Sequence, residues 1–216
     1  MRNVITLSDE SPSVVFLKNK DKRLARVIDM VGTITYTPYG DGYTFLIHEI
    51  IEQMLSIKAA SKIYARLVES CNGVINPDNI ASLTDEQLKG IGTSNAKVEY
   101  IKSITDAIQD DSLDLDILSS LDDEAVMKNL MSIRGVGTWT AKMYLIFVLD
   151  RKDILPFEDG AFLQSYKWLY KTADISKESI IKKCSKWKPY SSVAARYMYK
   201  ALDLGYTKNE FHLYRG

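Results

Sequence analysis

From residue 44 onward, apolar residues recur at spacings of three and four, and helix start signals interrupt the run at short intervals. This pattern constrains the fold more than any other feature. A chain that restarts its helices so often must stack them, because each helix has one apolar stripe to bury. The pattern predicts helices over TFLIHEIIEQML (44–55), SIKAASKIYARLVESC (56–71, opened by Ser56 as N-cap), DEQLKGI (85–91) and NAKVEYIKSITDAI (95–108, capped by Ser94). Thr84 and Gln87 form a capping box for the third of these. Further helices follow in DDEAVMKNLMSI, TWTAKMYLIFVLD, GAFLQSYKWLYKT, SKESIIKKCSKW and YSSVAARYMYKALDL. Only residues 33–44, TITYTPYGDGYT, read as extended, with Gly40 and Gly42 as turn formers. The expected fold class is all-α, a compact helical array without a long linker.

At 216 residues the chain can bury a substantial core without staples. Its two cysteines, Cys71 and Cys184, lie far apart and outside any Cys-x-x-Cys pattern. Neither a zinc knuckle nor a four-cysteine iron–sulfur cluster can be built from them, and reduced thiols are expected. The opening MRNVITLSDESPS lacks the apolar core of a signal peptide, and MYLIFVL (143–149) is far too short to cross a bilayer. A soluble, intracellular protein with no membrane partner is expected. His48 and His212 form no metal-ligand pattern.

The formal net charge is zero, which argues against a general nucleic-acid glue. The distribution is uneven, however. Residues 106–124 carry eight acids and no Lys or Arg, whereas residues 125–216 carry sixteen Lys or Arg against eight Asp or Glu. That second stretch, at about +8, can face a polyanion or can simply clothe solvated helices.

Two short stretches share a spelling: LKGIGTSNAK (88–97) and IRGVGTWTAK (133–142). No longer period continues beyond them, so they read as two helix–turn–helix corners. In the second, one helix is expected to stop at Ile133 and another to start near Thr138. Amides of Gly135, Val136, Gly137 and Thr138 would then point outward at the positive end of the new helix, a ready anion site. Glycine suits such a site because a Cβ would hold a phosphate away. No Gly-Lys-Ser/Thr follows, which argues against a nucleoside-triphosphate loop.

LMSIRGVGTWTAK (130–142) resembles the helix–hairpin–helix element of the DNA glycosylase superfamily, followed by a Pro-containing loop, ILPFEDGAF (154–162), with Asp159 twenty residues after Trp139. HEIIEQMLSIKAASKIYARL (48–67) and WKPYSSVAARYMY (187–199) resemble signature segments of the 3-methyladenine DNA glycosylase II branch, in a compact form lacking an N-terminal β domain. Together the similarities span roughly residues 20–205. They imply two helical lobes, a barrel-like one over 44–157 and a second from 1–43 plus 158–216, with a DNA-binding cleft between them.

The resemblance also implies roles. Asp159 would stabilise the sugar cation or activate water; locally it also reads as an ordinary N-cap. Glu158 and Asp153 are rival carboxylates. Trp139, Tyr190 and Phe45 would line the base pocket, or serve the core as aromatics usually do. Gln53 and Met54 fall where a wedge enters the DNA, with core packing the alternative for Met54, and Glu52 occupies a position where the family has a small residue. The hairpin backbone at 135–138 would bind phosphate, with Na⁺ or K⁺ held by the carbonyls of Met131, Ile133 and Val136; no cofactor is required. Strand-cutting relatives carry lysine at the position of Trp139, so hydrolysis without nicking is implied. Lys142, one helical turn on, is expected to face elsewhere. Arg196 and Tyr197 either touch DNA or serve the structure.

The expected function is therefore a monofunctional DNA glycosylase of base excision repair. It would act as a monomer on alkylated purines (3-methyladenine and 7-methylguanine type) in duplex DNA, in nucleoid, cytoplasm or nucleus according to its organism. The alternatives are a non-catalytic damage-binding paralogue and a bifunctional glycosylase/lyase.

Overall fold

A computed structural model of the chain describes residues 4–213. Thirteen α-helices are present among these residues: α1 (Pro12–Lys20), α2 (Lys22–Val31), α3 (Gly42–Glu52), α4 (Ile57–Ser70), α5 (Pro77–Ala81), α6 (Asp85–Gly90), α7 (Asn95–Gln109), α8 (Leu115–Leu118), α9 (Asp123–Met131), α10 (Thr138–Phe147), α11 (Gly160–Tyr170), α12 (Lys177–Cys184) and α13 (Ser191–Asp203). Two three-residue 3₁₀ turns, Ser185–Trp187 and Tyr206–Lys208, follow α12 and α13. The all-α expectation holds, since the strands among the described residues are one short antiparallel pair: β1 (Ile5–Leu7) and β2 (Ile34–Tyr36), with Ile5 opposite Tyr36. Extended structure within 33–44 is thus limited to β2, and its partner β1 carried no sequence signal of its own because three residues are too few to display a period.

The expected caps are in place. Ser56 accepts from Ala59 N–H, Ser94 from Lys97 N–H, and Thr84 and Gln87 close their reciprocal box. The acidic run owes part of its composition to the same need, with Asp114 and Asp122 capping α8 and α9. One boundary departs from expectation. Asp41 accepts from the Tyr43 and Thr44 amides, so α3 starts at Gly42 instead of residue 44. Gly42 is consequently a helix residue and not a turn former; a Cβ there would collide with the Tyr144 hydroxyl.

The chain divides into two compact units, Tyr39–Leu149 and the combination of 1–38 with 150–216. In the first, α3 packs against α4, α7 and α10. Leu46, Ile47, Ile50 and Ile51 of α3, Ile101 and Ile104 of α7 and Ile146 of α10 are fully buried, each contributing about 1.5–3 kcal/mol of transfer free energy.

In the second unit α13 packs on α2 and α11 around Leu17, Leu24, Phe162, Tyr166, Trp187 and Tyr197. Asp21, 2% exposed, organises this core. It caps α2 through the Arg23 and Leu24 amides and accepts from Tyr170 Oη, Trp187 Nε1 (3.0 Å) and Lys186 Nζ (3.0 Å). Burial opposes its charge, but these donors prevail and hold its pKa below the usual value. Arg196 stacks on Tyr36 with its Cζ 3.8 Å from the ring centre and pairs with Asp150, and Tyr197 donates to the Leu7 carbonyl. Both residues therefore serve this core. Cys71 and Cys184 are free and buried, and burial pushes both thiols up.

Candidate nucleic-acid interface

The hairpin joins α9 to α10, with the first helix ending at Met131, two residues before the expected Ile133. Ser132 accepts the role of C-cap, Val136 N–H donates to the Ile133 carbonyl (3.1 Å), and Gly135 turns the chain at φ +93°. Two constraints fix glycine at 135. An L side chain is strained at that φ, and a Cβ would also run into the Tyr100 ring.

Gly137 is different. Its φ of −95° and ψ of 179° suit any residue, and nothing lies within 4 Å of where a Cβ would stand. It is nonetheless the N-cap of α10, a position that favours Ser, Thr, Asp or Asn, and it gives the helix no side-chain cap. The N-cap residue therefore supplies no side-chain acceptor to the first turn of α10, whose amides sit at the positive end of the helix dipole.

The two similarly spelled corners differ in register. By letters, Gly90 matches Gly135 and Gly92 matches Gly137. By backbone, the positive φ falls on Gly92 (+106°) and Gly135 (+93°), and the N-caps two residues later are Ser94 and Gly137. The first corner caps its helix with a serine oxygen; the N-cap of the second has no side chain to do so.

The turn after α3 carries the second unusual feature. Gln53 has φ −47° and ψ 124°, Met54 has φ +59°, and Leu55 N–H donates to the Glu52 carbonyl at 3.0 Å. This is a type II turn with methionine where glycine is favoured. Met54 is also 101% exposed, so the core-packing alternative for it is excluded. Gln53 does not project beside it. Its Nε2 donates to the Gly135 carbonyl (3.1 Å) and to Thr140 Oγ1 (3.3 Å), which ties the turn to the hairpin. Of the two expected wedge residues, Gln53 anchors the turn in this structure while Met54 stands out from it.

Glu52, the unfavourable carboxylate, faces His48 Nε2 at 3.7 Å, while His48 Nδ1 lies 3.5 Å from Glu49. Glu49 chiefly, with Glu52 in support, raises the His48 pKa against the opposing effect of burial.

Phe45 is 2% exposed, edge-on to both Tyr39 (5.0 Å) and Tyr144 (6.0 Å). It belongs to the core, and the accessible ring beside it is Tyr39, 53% exposed. Tyr39 stands in a stretch without periodicity, so its local sequence does not mark it. Trp139 is half-buried in the first turn of α10. Lys142 is also half-buried and three residues on; in a regular helix that spacing places it beside Trp139, contrary to the expectation that it faces elsewhere.

In the other unit, Asp159 caps α11, accepting from Phe162 N–H at 2.7 Å, so the N-cap reading is correct whatever else the carboxylate does. Glu158 is exposed. Asp153 accepts from the Ser191 amide and hydroxyl (3.2 and 2.6 Å), which makes it the cap of α13's start. Ser192 accepts from Ile154 N–H and donates to the Ile154 carbonyl, while its amide bonds the Lys152 carbonyl. The Ser191–Ser192 pair thus fixes the segment leading to Asp159. Trp187 is fully buried, and Tyr190 is half-buried with its ring 5.4 Å from Phe16.

Comparison with known proteins agrees with this architecture. Residues 47–189 match the family described as HhH-GPD superfamily base excision DNA repair protein. DNA-3-methyladenine glycosylase 1 of Schizosaccharomyces pombe is 30% identical over 204 residues, covering 90% of this chain and 89% of that protein. The crystal structure of a DNA-3-methyladenine glycosidase from Bacillus halodurans superimposes with a TM-score of 0.83 at 31% identity, over 97% of each chain. A 3-methyladenine DNA glycosylase of Schizosaccharomyces pombe in complex with abasic DNA superimposes at 0.82, with 26% identity over 95% of this chain and all of that one. With two thirds of its residues inside the family match and relatives aligned end to end, the chain belongs to the HhH-GPD superfamily of base excision DNA repair proteins.

Proposed function

We propose that the protein is a monofunctional DNA glycosylase that binds duplex DNA and hydrolyses the N-glycosidic bond of alkylated purines. End-to-end likeness to proteins named 3-methyladenine glycosylases carries this reading. The uncapped start of α10 and the exposed Met54 support the DNA-facing part of it.

An N3- or N7-alkylated purine is cationic and leaves as a neutral base, taking the electron pair of the breaking C1′–N bond. Positive charge then develops on the sugar, where the Asp159 carboxylate stabilises it. Water adds its oxygen to C1′, and its proton passes to Asp159 or to solvent, leaving an intact strand with an abasic sugar. Trp139, Tyr190 and Tyr39 offer electron-rich faces to the cationic base. The α10 amides at Gly137 and Thr138 take a phosphate, and Met54 fills the stack vacated by the flipped nucleotide. The hairpin carbonyls of Met131, Ile133 and Val136 are hard oxygen donors of the type Na⁺ or K⁺ prefers; Ile133 O spends one lone pair on Val136 N–H and retains the other. The protein works as a monomer wherever the cell's DNA lies.

Asp159→Asn tests this reading cleanly, because Asn is as good an N-cap as Asp and keeps the Phe162 bond. On alkylated duplex, the wild type is expected to release free base without nicking the strand. The variant is expected to keep its fold and lose about 100-fold or more in single-turnover rate. Tight binding without base release would support a non-catalytic damage binder instead. Nicking with a borohydride-trapped adduct, abolished by Lys142→Met, would support a lyase.

A further inference from the structure

The helix launched by the first Gly-x-Gly corner touches both DNA-facing features of its unit. In the first turn of α7, Lys97 Nζ donates to the Ile51 and Gln53 carbonyls, each at 2.7 Å. These two carbonyls bracket Glu52, the first residue of the Met54 turn. One turn later Tyr100 fills the space that the missing Cβ of Gly135 leaves open, and Glu99 pairs with Arg134 at 2.6 Å. Gln53 Nε2 completes the circuit by reaching Gly135 O.

A lysine on an apparently solvated helix start would ordinarily be assigned to phosphate. Here at least two of its three N–H donors are committed to backbone carbonyls, and burial lowers its pKa. Its charge offsets the partial negative charge at the C-terminal end of α3. It therefore determines where the turn stands, and the turn determines where Met54 stands.

We infer that Lys97 is a positioning residue for lesion recognition, holding the Met54 turn in fixed register with the hairpin through α7. The inference rests on Met54 acting as the wedge. A double-mutant cycle tests both and separates them. Wild type, Met54→Ala, Lys97→Met and the double variant are compared for affinity to a duplex carrying an abasic-site analogue and to the undamaged duplex, by fluorescence anisotropy.

Met54→Ala is expected to reduce discrimination between the two duplexes about tenfold, and Lys97→Met by a similar factor, the worth of about one hydrogen bond. The double variant should be no worse than Met54→Ala alone, Lys97→Arg should restore part of the loss, and the salt dependence of binding should be unchanged in Lys97→Met. Multiplying effects in the double variant would overturn the inference. So would a salt slope reduced by roughly one unit, the signature of a lost phosphate contact. Unchanged discrimination in Met54→Ala overturns the wedge reading itself, and this inference with it. Should Lys97→Met fail to fold, Gln53→Leu cuts the same linkage at its hairpin end and carries the cycle under the same criteria.

Discussion

The hairpin contains two glycines that ought to fail in opposite ways when each is replaced by alanine. At Gly135, φ is +93° and the added methyl meets the Tyr100 ring. A left-handed conformation costs an L residue about 1–2 kcal/mol, and overpacking costs about 1–3 kcal/mol. The sum, roughly 2–5 kcal/mol, corresponds to a fall in Tm of about 5–20 °C for a chain of this size. At Gly137, the backbone is ordinary and the methyl meets nothing. The unfolded chain loses freedom, worth about 0.4–1 kcal/mol in favour of folding, while alanine is the poorer N-cap by about 0.5–1 kcal/mol. These nearly cancel, and Tm should stay within about 2 °C.

Affinity should follow the reverse order of sensitivity. A methyl at 137 stands where a phosphate oxygen must approach the α10 amides, and losing one such charge-assisted bond costs about 1.5–3 kcal/mol, roughly 10- to 100-fold in Kd. The loss should be equal for damaged and undamaged duplexes, because phosphate contacts position a protein without reading bases. Scanning calorimetry and anisotropy titrations at fixed salt measure both quantities. A Gly137→Ala protein that binds both duplexes like wild type would refute the phosphate site. A Tm loss as large as that of Gly135→Ala would refute the claim that glycine at 137 serves something outside the fold.

Two further variants probe the turn after α3. Met54→Gly should leave stability unchanged or raise it by up to about 1 kcal/mol, since glycine relieves the left-handed strain at a modest entropic cost; lesion discrimination should nevertheless fall, and a variant that loses neither would show that the methionine side chain is dispensable. The His48 pair with Glu49 and Glu52 predicts a pH effect whose sign follows from the raised histidine pKa: the pairing is fully present below about pH 6.5 and is lost as pH climbs through the folded-state value. Glu52 then meets DNA uncompensated, so Kd measured from pH 6 to 8.5 should rise more steeply in wild type than in Glu52→Gln, and superimposable profiles would sink the idea.

Much of the fold was legible because helical caps and periods are local. Ser56, Thr84 with Gln87 and Ser94 could be assigned from their neighbours alone, and each makes the expected bond. Local sequence and structure part where tertiary partners decide. Gly42 looks like a turn former until Tyr144 packs on it. Phe45 looks like a pocket wall until Tyr39 and Tyr144 enclose it, and Asp153 looks like a rival acid until Ser191 claims it. Lys97 was invisible as an anchor because its carbonyl partners lie more than forty residues away.

The residues that do follow local rules are also the ones whose function is hardest to read locally. Asp159 is a competent N-cap, and its capping geometry would satisfy a purely structural account. Met54 and Gly137 satisfy none: one places a bulky apolar side chain in solvent at a backbone position that resists it, and the other withholds a cap where every steric condition permits one. A folded chain retains such costs where they serve an external partner. Both departures are held by the same helix, α7, through Lys97 to the Met54 turn and through Tyr100 to the hairpin turn that leads to Gly137. On the proposed reading of Met54 and the hairpin, the first Gly-x-Gly corner, whose serine cap starts that helix, contributes to DNA recognition without any need to contact DNA.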